Sequence, residues 1–382
     1  MDGTLLVLLL ILSVGLVVPE LFRKLRLPFV TSLILVGALF GSNGLDMIPV
    51  NETVEFFGFL GLTFLMFMAG LETKVDQIQH SVGKVSLMAL INGGIPAIAG
   101  FLVAQAYGYG LTASLIVAVI FVSSSIAIII PSLKSAKLFK KDDGQLIVSA
   151  VVLEDVISLL LLGVVLQSFA PITNLPLPLY FALLITSVVA IKVFLPKISK
   201  AVLQKGFFQH KEHEDQLRFV IVLLMAVLLY FSALGVHPIV AAFLLGLVLS
   251  GAVTSDKLFT QLHTIGYGLF VPVFFFMIGT QMDFKIFSGS GDSLLFLLVI
   301  ILVSIGSKFF SGYLAGRLAK ISKEHSVMFG VASTIQLTTS LAATQAAYSL
   351  GIIDITLLTS MVVLSIITAI FSPIILRLLG HS

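Results

Sequence analysis

The sequence predicts an all-α polytopic membrane protein with about thirteen transmembrane helices. Three observations carry that prediction: an apolar composition, unbroken apolar runs of helical length, and basic residues gathered in alternate loops. Of the 382 residues, 58% are hydrophobic and 11% charged, and the mean hydropathy is +1.14. A soluble domain carries about 25% charged residues. A chain this apolar could not cover its surface with polar groups, so its solvent is lipid. Only helices or closed barrels satisfy the backbone there. Barrel strands alternate apolar and polar residues, whereas runs such as Thr4–Leu16 and Leu294–Ile305 are continuous.

Apolar runs set against polar breaks give segments at 3–22, 28–45, 54–71, 84–107, 111–133, 144–170, 177–203, 217–234, 237–251, 260–281, 293–319, 326–350 and 353–379. The eighth and ninth are short and joined by little more than Gly235 and His237-Pro238. Asp2 and the lack of a basic leading stretch make the first run a spanning helix rather than a cleaved signal. The basic residues test this division. Arg23, Lys24 and Arg26 follow the first segment, Lys134, Lys137, Lys140 and Lys141 the fifth, and Arg317, Lys320 and Lys323 the eleventh. Of the 22 Lys and Arg, all but Lys285 and Lys308 fall on that one side. A miscounted helix would scramble the alternation downstream. By the positive-inside rule the N-terminus is outside and the C-terminus inside. There is no cysteine, which excludes disulfides and thiolate chemistry. The net charge of +3 gives no basic patch for nucleic acid.

A short internal match reads as a repeat, with chance resemblance between two Phe-rich helices as the plainer alternative. Phe67-Met68-Ala69-Gly70 closes the third segment and Phe276-Met277-Ile278-Gly279 the tenth. Each is followed by acidic residues, Glu72 or Asp76 in one and Asp283 in the other. An offset of seven segments is odd, so the halves would be inverted. The fifth segment holds Ser123-Ser124-Ser125 at mid-depth, with Pro131 near its inner end. The twelfth, again seven away, holds Gln336, Thr338, Thr339, Ser340 and Thr344. Matched polar interruptions in two halves point to a transporter site, because an unwound stretch frees carbonyls and helix ends for an ion. Ser and Thr bonded only to neighbouring turns or helices are the plainer alternative.

Three charges lie inside segments. Glu154 and Asp155 sit mid-way along the sixth, and Lys308 well inside the eleventh. Each costs roughly 2.5–3.5 kcal/mol at mid-helix. A lysine contact would neutralise one carboxylate. Adjacent helical residues point about 100° apart, so the other carboxylate can face a cavity. Such a group can hold a proton or a cation but not both, which is sufficient to couple their movements. An ion pair that only fixes helix packing would leave the second carboxylate without a role.

Together these features resemble the monovalent cation:proton antiporter superfamily, nearest the bacterial sodium/proton antiporters of the NapA and GerN type and the related Kef-type potassium transporters. The resemblance rests on helix number, on Ser123-Ser124-Ser125, on Glu154-Asp155 in the next segment, and on Lys308 in the segment before the second interruption. It implies the NhaA/NapA-like antiporter fold and an elevator-like homodimer. The core would be about 54–170 and 260–379, the dimer scaffold 3–45 and 217–251, and the linker helix 177–203. It implies that Asp155 is the shared ion and proton carboxylate, that Glu154 pairs with Lys308, and that Ser124 and Ser125 lie beside the ion. Two departures stand out. Glu-Asp replaces the Asp-Asp, Gln-Asp or Asn-Asp of relatives, and Gln336-Leu337-Thr338-Thr339 stands where many carry Gly-Glu.

The expected activity is exchange of a monovalent cation for protons, sodium ahead of potassium, with lithium also carried. Release of the Lys308 proton on cation binding would make it electrogenic. No enzyme activity and no cofactor are expected, and the partners are Na+ or K+, H+, membrane lipid and a second copy of the chain. The place is the inner membrane and the role pH homeostasis. The last segment nearly ends the sequence, so no cytosolic nucleotide-binding domain is expected. A Kef-like K+/H+ antiporter or efflux channel and a sodium-coupled organic-anion symporter stay open. An aspartyl protease needs carboxylates on separate helices, and a retinal pump on Lys308 disagrees with the helix number and the absence of tryptophan. His210-Lys211-Glu212-His213-Glu214-Asp215 could sense pH or bind a metal, or be a solvated loop. Asn92, beside Gly93-Gly94, reads as locally bonded. Gly37/Gly41 and Gly312/Gly316 have the spacing of close helix contacts.

Overall fold

The computed structural model describes residues 2–22, 29–41, 43–48, 51–73, 81–139, 141–169, 176–204, 213–251, 253, 256–288 and 291–380. Several basic loop residues, among them Arg23, Lys24, Arg26, Lys140 and Lys211, lie outside these, as do Asp76 and the first half of the proposed pH-sensing loop, His210 and Glu212 included. The described residues are helical with no strand. Nine helices among them are long and apolar enough to cross a membrane, and further apolar helices are shorter.

The first half runs α1 (Asp2–Phe22), α2 (Phe29–Phe40), α3 (Glu52–Glu72), α4 (Val82–Ala106), α5 (Leu111–Val122), α6 (Ile126–Ser135) and α7 (Asp142–Phe169). After α8 (Leu177–Gln204) come α9 (His213–Ala233), α10 (Pro238–Leu249), α11 (Asp256–Ile265) and α12 (Val271–Thr280), the last two joined by a π-turn at Gly266–Phe270. Then follow the short α13 (Lys285–Ser288), α14 (Gly291–Leu318), α15 (Lys323–Ser333), α16 (Thr338–Ser349) and α17 (Ile355–Leu379). The hairpin between α9 and α10, the weakest division in the sequence, is set by local chemistry. Gly235 takes a φ of 80°, which glycine alone adopts freely. Pro238 opens α10 at the position where a missing N–H costs nothing.

Contacts divide the chain into two compact units. One comprises 1–55, 76–162 and 275–382. Its inner core gathers Met88 of α4, Ile129 and Leu133 of α6, Ile147 and Val151 of α7, Met328 and Phe329 of α15, and Leu376 of α17. The other comprises 56–75 and 163–274, and contains α8 to α11. Its buried apolar residues include Phe231 of α9 and Phe243 of α10.

The glycines of the repeated motif show what the repeat is for. In α3, Gly70 lies on α10, where an added Cβ would stand 2.8 Å from Leu247 N and 3.1 Å from Gly246 Cα. In α12, Gly279 lies on α2, where a Cβ would stand 2.8 Å from Ala38 N and 2.9 Å from Gly37 Cα. Real Cβ contacts are not so short, so the two backbones can touch only at glycine. The third segment crosses the ninth and the tenth crosses the second; third and tenth are seven segments apart, and so are second and ninth. The same crossing occurs twice, each time joining a helix of one half to a helix of the other, as an inverted repeat requires.

Helix α14 shows how a charge is hidden in such a protein. Leu295, Leu298, Leu302 and Phe310 point outward and are exposed, while Ser304, Lys308, Ser311 and Ala315 face inward and are buried. The inward residues recur at helical spacing on one face. Lipid therefore meets leucine and phenylalanine, and the polar groups meet one another.

Candidate functional site

Both sequence interruptions are real breaks in helices. The chain leaves helical geometry between α5 and α6, with Ser123 at φ −71°, ψ 153° and Ser125 at φ −75°, ψ 99°. It does so again between α15 and α16, where Leu337 sits at φ −147°, ψ −74°. The two breaks cross and are tied to each other. Ser125 N donates to Ile335 O at 2.7 Å and Ser124 Oγ to Ser333 O at 3.0 Å. Ser123 Oγ lies 2.7 Å from Ser340 Oγ, and Ser125 Oγ 3.3 Å from Thr338 Oγ1. Backbone groups that the breaks release thus find partners across the crossing.

The three buried charges meet beside it. Lys308 Nζ lies 3.1 Å from Glu154 Oε2, both side chains fully buried. It also donates to Val122 O at 2.6 Å and Ser124 Oγ at 3.0 Å. An ammonium has three N–H donors, and all three are used. Val122 ends α5, so its carbonyl carries the negative end of that helix's dipole, and a cation belongs there.

Glu154 is the satisfied carboxylate. Asn92 Nδ2 donates to Oε1 at 2.8 Å and to Oε2 at 3.0 Å. Lys308 and Ser124 Oγ, the latter at 3.3 Å, also approach Oε2. Asp155 differs. Its Oδ2 accepts from Thr339 Oγ1 at 3.2 Å, but Oδ1 is buried with no hydrogen-bond partner among the described residues. A buried carboxylate oxygen without a donor is costly. It marks the place where a proton or a cation would be stabilised. Gln336 lies in the second break with both side-chain polar atoms buried and without hydrogen-bond partners among the described residues.

The structure therefore brings Glu154, Asp155, Lys308, Ser123, Ser124, Ser125, Thr338 and Thr339 into one region, with Gln336 in the crossing backbone nearby. Sequence reasoning named Asn92 but misread its bonding, and it did not single out Ser311, His325 or Asp143. Asn92 bonds across α4 and α7 to Glu154, not locally, and its Oδ1 accepts from Ser311 Oγ of α14 at 2.9 Å. An amide deep in a spanning helix is itself a signal, because it needs partners that the helix does not supply. Away from the breaks, His325 Nδ1 lies 2.6 Å from Asp143 Oδ2 and ties the first turn of α15 to that of α7.

The family model described as sodium/hydrogen exchanger, transmembrane, matches residues 8–380. The chain belongs to that family. A probable Na(+)/H(+) antiporter 3 of Methanocaldococcus jannaschii is 31% identical over 381 residues, covering 99% of this chain and 97% of that one. The Na(+)/H(+) antiporter of Enterococcus hirae is 25% identical and covers 97% and 96% respectively. The fold is similar to that of the sodium proton antiporter MjNhaP1 of Methanocaldococcus jannaschii at pH 8, with a TM-score of 0.76 at 17% identity over 100% of this chain and 99% of that one. As a sodium/hydrogen exchanger family member, the chain is a multi-pass membrane transporter.

Proposed function

We propose that this exchanger trades sodium for protons by alternating access, with Asp155 as the shared site. The observation that carries this reading is the contrast between two adjacent carboxylates. Glu154 is met by donors on both oxygens, whereas Asp155 keeps Oδ1 open beside the crossed breaks. A proton and a sodium ion each neutralise Asp155, and they exclude one another, so either can be carried across but not both together. Thr339 holds the carboxylate from one break, and Ser124 and Ser125 place hydroxyl oxygens of the other nearby. Lys308 with Glu154 balances the remaining charge.

The family supports sodium over potassium. The alternation of basic residues supports an inner-membrane chain with its N-terminus outside and its C-terminus in the cytoplasm. The reading also takes in a homodimer in lipid, a core that moves against a dimer scaffold, and a role in pH homeostasis. In that division the close crossing of α3 on α10 argues for placing α3 with the scaffold helices.

Purified protein in liposomes with an imposed pH gradient tests the reading. Sodium and lithium should each drive proton flux, with potassium at least about tenfold weaker at equal concentration. Flux that prefers potassium would favour a Kef-like exchanger. Sodium uptake that needs an organic anion and moves no protons would replace the proposal with symport.

A further inference from the structure

We propose that Asn92 is a positioning residue that locks Glu154 as the fixed counter-ion of Lys308, and that this lock sets exchange at one proton per cation. The inference rests on Asp155 as the exchanging carboxylate. Asn92 is fully buried on α4. Its Nδ2 spans both oxygens of Glu154, at 2.8 and 3.0 Å. The reverse orientation of the amide would set an acceptor against a carboxylate, which fixes Nδ2 on Glu154 and leaves Oδ1 to accept from Ser311. Ser311 Oγ donates to Asn92 Oδ1 at 2.9 Å and sits one turn from Lys308 on the same helix. One amide therefore joins α4, α7 and α14 and orients the carboxylate to which Lys308 is bonded.

The consequence is a matter of charge. With Glu154 ionised and Lys308 protonated, the pair sums to zero. Asp155 then carries either a proton or a monovalent cation, and the whole site is neutral in both loaded states. In each half-cycle one proton leaves the Asp155 carboxyl for water and one cation takes its place, or the reverse. A second proton could come only from Lys308 Nζ. For that, Glu154 would have to leave the ammonium and turn to the cation. The two bonds from Asn92 oppose that turn, and the three acceptors around Nζ keep its three N–H groups in place. The charge pattern alone led to the expectation that Lys308 releases a proton and transport is electrogenic. The geometry points to electroneutral exchange.

The balance point of opposed gradients reads the ratio directly. In liposomes at zero voltage, one-for-one exchange stops when a tenfold sodium gradient faces about one pH unit, and two protons per sodium stop at about half a unit. The wild-type protein should balance at about one unit, and a voltage of about 100 mV should not shift that point. Asn92→Leu removes both bonds to Glu154 and should move the point toward half a unit and make it voltage-dependent. Ser311→Ala, which frees only the amide's orientation, should move it in the same direction by less, and keeps the test open if Asn92→Leu does not fold. Asn92→Gln, which restores the carboxamide, should lie nearer the wild type than Asn92→Leu. A wild-type balance at half a unit would overturn the inference while leaving sodium/proton exchange intact. An unmoved balance point in both Asn92→Leu and Ser311→Ala would do the same for the role of Asn92. Absence of sodium-driven proton flux in the wild type would instead overturn the exchange reading and this inference with it.

Discussion

Asp155→Asn should abolish sodium-driven proton flux in liposomes while the protein still folds. The substitution keeps the size and shape of the side chain, and its carbonyl oxygen still accepts from Thr339 Oγ1, the one side-chain bond that Asp155 makes. What it removes is the charge and the titrating proton. Among the described residues no other buried carboxylate oxygen lacks a hydrogen-bond partner, since those of Glu154 are bonded to Asn92 and Lys308. The loss should exceed about a hundredfold in rate, equivalent to about 2.7 kcal/mol of lost site stabilisation. Melting in detergent should stay near that of the wild type or rise, since a buried carboxylate with an orphaned oxygen is itself destabilising. Retained flux in a folded Asp155→Asn protein would remove Asp155 from the mechanism.

The second large effect is on stability. Lys308→Met leaves the Glu154 carboxylate fully buried without its counter-ion and takes the cation from the end of α5 at Val122. Breaking one side of a buried pair costs about 3–5 kcal/mol, because the remaining charge is not compensated. The melting temperature in detergent should therefore fall sharply. Adding Glu154→Gln to Lys308→Met removes that charge and keeps a group that can still bond Asn92, so most of the loss should return. A single variant as stable as the wild type, or a double variant no better than the single, would contradict this view of the pair.

Much of the fold is legible in the sequence because lipid imposes a simple rule: an apolar run of helical length spans. The segment read at 144–170 is the helix Asp142–Phe169, and that at 293–319 is Gly291–Leu318. The serine triplet marks the break between Val122 and Ile126 to the residue, because three hydroxyls in an apolar helix stand out against their neighbours. The tenth segment was less readable. Its π-turn at Gly266–Phe270 lies inside an apolar stretch, and hydropathy does not distinguish helix types. The short α13 falls where the sequence shows only a loop.

At the site, residue types were legible and bonding was not. Glu154, Asp155 and Lys308 announce themselves by the cost of charge in lipid. Which carboxylate meets the lysine follows from how α7, α14 and the first break pack, and no local pattern contains that. Asn92 shows the limit most plainly. Its partners are 62 and 219 positions away in sequence, so a reading confined to its own helix could find only local bonds. The repeated Phe-Met-x-Gly motif is the opposite case. Its meaning became specific once each glycine was found against a second glycine seven segments from the other's partner.

The central claim is that a proton and a sodium ion compete for Asp155. The measurement that tests it most directly is the apparent KM for sodium in liposomes as a function of pH, equal on both sides of the membrane. Competition at one carboxylate predicts that once pH falls below the point where Asp155 takes up its proton, KM rises about tenfold per pH unit at constant maximal rate. A KM that does not change with pH, with only the maximal rate falling, would place the proton and the sodium ion on different groups and contradict the account.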